Sequence, residues 1–179
     1  HKENVELALE VCIHLGMDKK NALEGMLKNN PDPGALFIWK IKIFESTNFF
    51  ISAFAANDPQ STYDIFNKIN NRYGDYKKCI FLNTRSDRQY RTHQLLSLVT
   101  EKIIPNKLII RTSKLDSLIS KFDFESKGIE LIAYDTKSDW QEIIDKIGEM
   151  NGYLVFGIGN IVGWGDKFVQ KIKEYRIDG

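Results

Sequence analysis

Three arginines lie close together in the middle of the chain. Arg85, Arg88 and Arg91 fall within seven positions, with Asp87 between them and Thr92 directly after. Guanidinium groups bind carboxylate or phosphate through paired hydrogen bonds, and the free amides at a helix N-terminus also favour anions. The stretch therefore predicts an anion-binding loop, in which Asp87 holds one arginine in place or orients a cation. The alternative is a solvated helix start whose charges form weak surface ion pairs.

A second polar stretch follows an aromatic and β-branched run that is typical of a buried strand. Asp58 is suited to cap a helix, and Pro59 fits the first helical position because its missing N–H is not needed there. Capping alone is sufficient to explain this stretch. The functional interpretation depends on Asn57, a further polar side chain at the strand end, with Ser61 in the helix start that follows.

A third stretch, residues 157–165, is rich in glycine. Gly157 and Gly159 fit the start of the dinucleotide-binding fingerprint G-x-G-x-x-G. The third glycine of that fingerprint should be residue 162, but the next glycine is Gly163. No acidic residue follows at the end of a later strand. We interpret this stretch, including Asn160, as a loop whose backbone amides approach a ligand or a neighbouring strand, and the alternative is a purely structural turn.

Strand and helix patterns alternate around these loops. The predicted strands are residues 35–44, 49–55, 78–82, 107–111, 129–134 and 153–156, and the predicted helices are residues 59–73, 90–103, 115–122, 140–150 and 166–175. Such alternation indicates an α/β fold, a Rossmann-like and mostly parallel sheet with helices on both faces. A short helical hairpin precedes it, and the first two strands form a β-hairpin across residues 45–48. The three polar loops then emerge at one edge of the sheet, where they can form a common site.

Composition excludes several classes of function. The 179 residues carry a net charge of +1, which gives no overall signal for nucleic acid. Cys12 and Cys79 lack metal-site spacing and indicate reduced thiols in the cytoplasm. We found no metal-ligand cluster, phosphate loop, nucleophile elbow or apolar run long enough for a membrane span. The chain begins with His1 inside a helical pattern, so we expect it to be a piece of a longer protein.

Taken together, residues 54–62, 83–92 and 157–163 resemble the ligase subunit of capsule-type poly-γ-glutamate synthases, which is itself similar to the Mur ligases. Residues 56–61 match the Mur pattern Ala-His-Asn-Pro-x-Ser, with asparagine in place of the histidine. Residues 87–92 are similar to the Mur pattern His-Arg-Tyr-x-Arg-Thr. The resemblance implies that residues 1–33 end a Mur-like central ATPase domain and that residues 34–179 form the Rossmann-like C-terminal domain.

The resemblance also implies roles for individual residues. The expected catalytic residues are Arg88 and Arg91, and the expected nucleotide- or substrate-binding residues are Asn4, Asn57, Asp58, Ser61, Arg85, Asp87, Thr92, Gly157, Gly159 and Asn160. Asn4 corresponds to an asparagine that approaches adenine. No residue is expected to bind a metal.

The implied reaction is the ATP-dependent, ADP-forming polymerisation of glutamate into poly-γ-glutamate through an acyl phosphate. ATP and Mg²⁺ are expected to bind mainly to an upstream domain that carries the phosphate loop, so we expect these residues alone to be inactive. The implied partners are glutamate, poly-γ-glutamate, further copies of the chain and membrane-embedded capsule-synthesis subunits at the cytoplasmic face. Two alternatives remain open: a non-catalytic anion-binding or assembly module, and a dinucleotide-binding oxidoreductase domain. The position of Gly163, one residue after the place that the dinucleotide fingerprint requires, argues against the second.

Overall fold

The computed structural model describes residues 2–28, 35–56 and 58–177, except for the side chains of residues 2, 3 and 119. The chain divides into two compact units, His1–Asp32 and Pro33–Gly179. The described part of the first unit forms two helices, α1 (Lys2–His14) and α2 (Lys19–Leu27). Asp18 caps α2 by accepting a hydrogen bond from the Asn21 amide at 3.1 Å. This unit is the predicted helical hairpin.

The second unit is built on a six-stranded sheet in the order β1-β2-β6-β3-β4-β5. Its strands are β1 (Phe37–Ile43), β2 (Ser46–Ser52), β3 (Lys77–Asn83), β4 (Lys107–Arg111), β5 (Glu130–Tyr134) and β6 (Tyr153–Gly159). β1 pairs antiparallel with β2, and every other neighbouring pair is parallel. The predicted mostly parallel sheet is therefore confirmed.

An α-helix follows each strand from β2 to β6 in the described part of this unit. These helices are α3 (Pro59–Asn70), α4 (Gln89–Leu98), α5 (Leu115–Ile119), α6 (Trp140–Gly148) and α7 (Trp164–Lys173). A π-helical turn, Val99–Ile103, extends α4. Apolar residues of α3, α4 and α5 pack on one face of the sheet, and those of α6 and α7 pack on the other. Burial on both faces explains why β6 is apolar throughout and why residues 79–82 of β3 form a continuous apolar run.

The hairpin between β1 and β2 is tighter than the sequence predicts. Ile43 pairs with Ser46, so that the turn contains only Phe44 and Glu45. The predicted four-residue turn was wrong because Asn48 is a buried strand residue. Its side-chain amide donates to the carbonyls of residues 147 and 150, at 3.2 and 2.8 Å. These distant partners compensate the burial of a polar side chain that otherwise favours a turn.

β6 is longer than predicted and includes two of the glycines assigned to the loop. Gly157 pairs with Phe81, and Gly159 pairs with Asn83. A Cβ on Gly157 would lie 2.6 Å from the Phe54 ring, and one on Gly159 would lie 2.4 Å from the Asn83 carbonyl oxygen. Gly159 also has a φ of 96°, which favours glycine. These two glycines therefore permit close packing within the sheet.

No helix in the described ranges is both long enough and apolar enough to cross a membrane. Both cysteines are free thiols. Cys79 lies in β3, and burial raises the pKa of its thiol to about 12.

Candidate anion-binding site

The candidate site lies at the carboxyl edge of the sheet, where β3 and β6 run side by side. The helix that follows β3 packs on one face of the sheet, and the helix that follows β6 packs on the other. The two connections therefore leave the edge in opposite directions and open a crevice between them. In open α/β sheets this reversal is the usual position of a ligand. We call this space the switch-point crevice.

Arg91, in the first turn of α4, connects the loops that follow β2, β3 and β6. Its Nη2 donates to the Ala56 carbonyl at 2.9 Å and to the Gly159 carbonyl at 3.4 Å. The three polar loops therefore meet at one edge of the sheet, as the sequence predicts. Asn57, the predicted site residue next to Ala56, lies outside the described residues.

Two asparagines fix the ends of β3 and β6 to each other. The Asn160 amide donates to the Asn83 carbonyl at 2.8 Å, and the Asn83 side chain donates to the Asn160 carbonyl at 2.6 Å. The Asn160 side chain in turn donates to the Val162 carbonyl at 2.9 Å. These bonds hold the loop after β6 in a defined position at the crevice. The backbone of Asn160 therefore fixes this loop to β3, and the Asn160 side chain is hydrogen-bonded within its own loop.

The switch-point crevice holds about 260 Å³, including its open mouth. Its polar lining includes Arg85, Arg88, Arg91, Thr92 and Asn160. Thr92 is buried, and its hydroxyl donates back to the Arg88 carbonyl at 3.3 Å. No aspartate or glutamate is part of the lining. The space is therefore suited to a small anionic group.

Arg88 and Arg91 carry positive charge that the described residues leave without a direct ion pair. The Nε of Arg91 is buried and has no hydrogen-bond partner among them. Burial lowers the pKa of Arg91, and repulsion from the Arg88 cation lowers it further. The Arg88 side chain is exposed and makes no hydrogen bond or ion pair within the described ranges. An anion bound between the two groups would remove this repulsion and satisfy the buried donor.

Arg85 differs from the other two arginines because it is already paired. Its Nε and Nη2 donate to the two carboxylate oxygens of Asp87 at 2.9 and 2.6 Å. This paired hydrogen bond lowers the pKa of Asp87. Of the two predictions for Asp87, holding an arginine in place is the one that this geometry matches.

Asp58 and Ser61 form the cap of α3. One Asp58 carboxylate oxygen accepts from the Ser61 amide at 2.9 Å, and the other accepts from the Ser61 hydroxyl at 2.7 Å. These bonds lower the pKa of Asp58. Both side chains are therefore occupied in capping, beside the carbonyl that binds Arg91.

Two further predicted site residues, Gly157 and Asn4, lie in a strand and in a helix. Gly157 is buried in β6 under the Phe54 ring, and no loop conformation exposes it to a ligand. Its assignment to a ligand-binding loop was wrong because its missing side chain makes room for an aromatic ring. Asn4 is an exposed residue of α1 in the first compact unit.

Arg111, at the end of β4, is a buried cation at the same edge of the sheet that sequence reasoning missed. It is 7% exposed, and its guanidinium lies 4.2 Å from the centre of the Trp164 ring. Its Nη1 donates to the Asn83 side chain at 3.2 Å, and its Nη2 donates to the Thr136 carbonyl. Burial lowers the pKa of Arg111, whose Nε is unpaired among the described residues. An arginine that ends an apolar strand is the signal that would have identified it.

Trp164 covers the Arg111 guanidinium. Its indole N–H donates to the Ser138 carbonyl at 3.1 Å, and its ring stacks on Phe168. Arg111 and Trp164 together join the loops that follow β3, β4, β5 and β6. No group of three or more histidine, cysteine, aspartate or glutamate side chains in the described part of the chain could hold a metal ion.

Solved structures of Mur ligase-like enzymes contain this fold. A folylpolyglutamate synthase structure from Thermotoga maritima matches 97% of this chain and 38% of its own, with a TM-score of 0.56 and 16% identity. The UDP-N-acetylmuramate-alanine ligase MurC from the same organism matches 96% of this chain and 37% of its own, with a TM-score of 0.55 and 13% identity.

Sequence similarity identifies the family within this class. Residues 38–175 match the poly-gamma-glutamate synthase CapB C-terminal domain, and the chain belongs to that family. It is 30% identical to the PGA synthase CapB of Bacillus subtilis (strain 168) and 32% identical to the capsule biosynthesis protein CapB of Bacillus anthracis. Both matches cover 98% of this chain, which spans 45% and 38% of those two relatives.

Proposed function

We propose that this chain is the C-terminal part of an ATP-dependent, ADP-forming ligase that polymerises glutamate into poly-γ-glutamate. The observation that carries the proposal is the pair of cations, Arg88 and Arg91, which have no direct ion pair within the described ranges and lie where three loops converge. Membership of the CapB C-terminal domain family supplies the reaction class. The pair supplies a place for the negative charge that this reaction develops.

The proposed reaction has two steps. A terminal carboxylate oxygen of glutamate or poly-γ-glutamate attacks the γ-phosphorus of ATP, the bond to the bridging oxygen breaks, and ADP leaves. The amine of a second glutamate then attacks the acyl carbon, phosphate leaves with the bonding electrons, and the nitrogen loses a proton. Negative charge accumulates on phosphoryl oxygens in the first step and on the tetrahedral carbon's oxygen in the second.

Arg88 and Arg91 are the groups of this chain that we assign to that charge. Positioned donors of this kind typically contribute about 10²–10³ in rate, because they are oriented before the charge develops. Arg91 is oriented by its bonds to the Ala56 and Gly159 carbonyls, which leave its Nε free. Asp87 keeps Arg85 beside the same crevice.

The described residues include groups suited to a nucleotide phosphate but no cluster of ligands suited to a metal ion. The arginines and free donors of the switch-point crevice suit a phosphate, so we propose that they contact the terminal phosphoryl group of ATP. Acidic ligands for Mg²⁺ are not clustered in the described residues. We therefore assign Mg²⁺ and most nucleotide contacts to a preceding ATPase domain, of which residues 1–33 are the end and in which Asn4 approaches adenine.

We also propose an assembly for this chain. One of the relatives is called a capsule biosynthesis protein, which supports a role in a synthesis complex. We propose that this chain acts at the inner face of the cell membrane, through membrane-embedded partner subunits and as a homo-oligomer.

Replacing Arg91 or Arg88 by alanine in the complete protein tests the proposal. We expect glutamate-dependent ADP release to fall at least about 10²-fold for Arg91→Ala, with a smaller loss for the exposed Arg88. Arg72→Ala is the matched control, since Arg72 is an exposed arginine that does not line the crevice. Unchanged turnover in both test variants would remove the assignment.

A non-catalytic module that grips polyglutamate is the second candidate, because the same cation pair could bind carboxylates without turnover. Calorimetry with a glutamate oligomer in the absence of nucleotide separates the two. Tight binding that Arg91→Ala abolishes, together with unchanged ADP release, would favour the module. The oxidoreductase alternative loses its main support, because Gly157 and Gly159 are packed strand residues.

A further inference from the structure

A second crevice lies beside the switch-point crevice, between the loops that follow β3 and β4. It holds about 320 Å³, including its mouth. Arg85 and Lys114 line it from its two sides, and no aspartate or glutamate is part of the lining. We call this space the hydroxyl crevice, because serine and threonine side chains form most of its polar wall. Lys114 and the serines of this wall have no part in the site described above.

Several donors of the hydroxyl crevice are free to bind a ligand. The Lys114 ammonium group makes no hydrogen bond or ion pair within the described ranges, and the same is true of the hydroxyls of Ser86, Ser113 and Ser117. All four residues are exposed. A cation surrounded by free hydroxyls and without a neighbouring carboxylate in the wall is suited to a carboxylate.

The two crevices are adjacent to each other. Thr84, Arg85 and Thr92 line both of them, on either side of the end of β3. An extended ligand can therefore place one anionic group near Arg91 and a second one near Lys114. A single small anion can occupy only one of the two.

We propose that the hydroxyl crevice is a carboxylate subsite for a glutamyl residue next to the reacting one, so that the protein holds poly-γ-glutamate at two places. This inference rests on the proposed function. In a γ-linked chain every residue keeps its α-carboxylate free, and successive residues therefore present a row of carboxylates. Free glutamate has no neighbouring residue to fill the second place.

The chemistry of the subsite suits a polymer that moves by one residue after each addition. Lysine is a point charge on a flexible stem with three rotatable donors, whereas arginine fixes its partner in a planar, paired geometry. Lys114 and serine hydroxyls can therefore accept a carboxylate in several orientations. The switch-point crevice, with its positioned arginines, provides the stricter geometry that chemistry needs.

The test compares a γ-glutamate oligomer with free glutamate as substrates of the complete protein. We expect Lys114→Ala to raise KM for the oligomer about tenfold relative to KM for glutamate, because a charge-assisted hydrogen bond is lost. The products should also be shorter, and Lys114→Arg should restore most of the oligomer KM. Lys137→Ala is the control, since Lys137 is exposed in the loop after β5 and does not line the crevice.

Two results would overturn the inference. An unchanged oligomer KM and product length in both Lys114→Ala and Ser113→Ala would show that the crevice binds nothing. An equal loss for oligomer and glutamate would mean that it serves the reacting residue. If the unaltered protein releases no ADP, the proposed function fails, and calorimetric binding of the oligomer to the unaltered protein and to Lys114→Ala still decides the subsite.

Discussion

The two edges of the sheet differ in whether their buried polar groups have hydrogen-bond partners. At the amino edge, asparagine side chains satisfy backbone groups: Asn48 makes three such hydrogen bonds, and Asn106 and Asn151 accept from the amides of Lys78 and Thr47. At the carboxyl edge, buried polar atoms of Ser52, Arg91 and Arg111 have no partner among the described residues. Both edges contain polar residues, but three of the four buried side-chain atoms without a hydrogen-bond partner in the described residues lie at the carboxyl edge.

This difference indicates where stability and where binding are located. A buried donor without a partner costs about 1–3 kcal/mol, so such groups are rare away from sites that use them. The Asn70 side-chain oxygen, at the end of α3, is a fourth unpaired atom and the exception to this division. At the carboxyl edge two of the three unpaired atoms belong to arginines, which suits an anionic ligand.

The largest effect is expected at the amino edge. Asn48→Ala removes hydrogen bonds to Ile147, Met150 and Tyr153 and leaves their buried backbone groups unpaired. We expect a loss of about 3–5 kcal/mol in the free energy of unfolding, measured by urea denaturation. Asn71→Ala, at an exposed helix end, should cost about 0.5 kcal/mol or less. A loss under about 1 kcal/mol for Asn48→Ala would break the comparison.

A smaller effect distinguishes two arginines that each lie over an aromatic ring. Arg111 is buried 4.2 Å from the Trp164 ring centre, whereas Arg72 is exposed 5.5 Å from that of Tyr73. Arg111→Lys keeps the charge but loses the planar stacking, and we expect it to cost about 1–2 kcal/mol. Arg72→Lys should cost about 0.5 kcal/mol or less. Equal losses in urea denaturation would show that burial at the carboxyl edge adds nothing.

The Asp58 cap of α3, at the carboxyl edge, should make a contribution to stability that depends on pH. Hydrogen bonds from Ser61 lower the folded-state pKa of Asp58 below its ordinary value of 3.8, so the ionised cap contributes stability above that value. This contribution is lost as pH falls through the lowered pKa. We expect Asp58→Ala to cost about 1 kcal/mol at pH 7. The difference in thermal unfolding between the two proteins should begin to shrink as pH falls below about 4. A difference that stays the same from pH 7 down to about pH 2 would contradict the assignment.

The smallest effect is expected for the unpaired hydroxyl of Ser52. Ser52→Ala removes a buried polar group that has no partner among the described residues, and we expect no change or a stabilisation of up to about 1 kcal/mol. The measurement is the urea midpoint with the slope of the transition held constant. Destabilisation by more than about 1 kcal/mol would show that the hydroxyl has a partner.

Local sequence signals predicted the elements of the sheet and the meeting of its loops. The alternation of strands and helices, the cap at Asp58 and the helix start at Arg91 all depend on neighbours in sequence. Asn48 was misassigned because its partners lie 99 to 105 positions away. Gly157 was misassigned for a similar reason, since the Phe54 ring above it comes from a distant part of the chain. Arg111 ends an apolar strand, which is a local signal, but its contacts with Trp164 and Asn83 depend on distant parts of the chain.

The position of β6 has a consequence for synthesis of the protein. β6 follows the other five strands in the sequence, yet it lies between β2 and β3, and its Gly159 is one of the two groups that orient Arg91. A nascent chain that ends before Tyr153 therefore has two separate half-sheets and no completed cation cluster. Such long-range pairing is slow to form. Arg91 consequently gains its second carbonyl partner only after β6 has been translated.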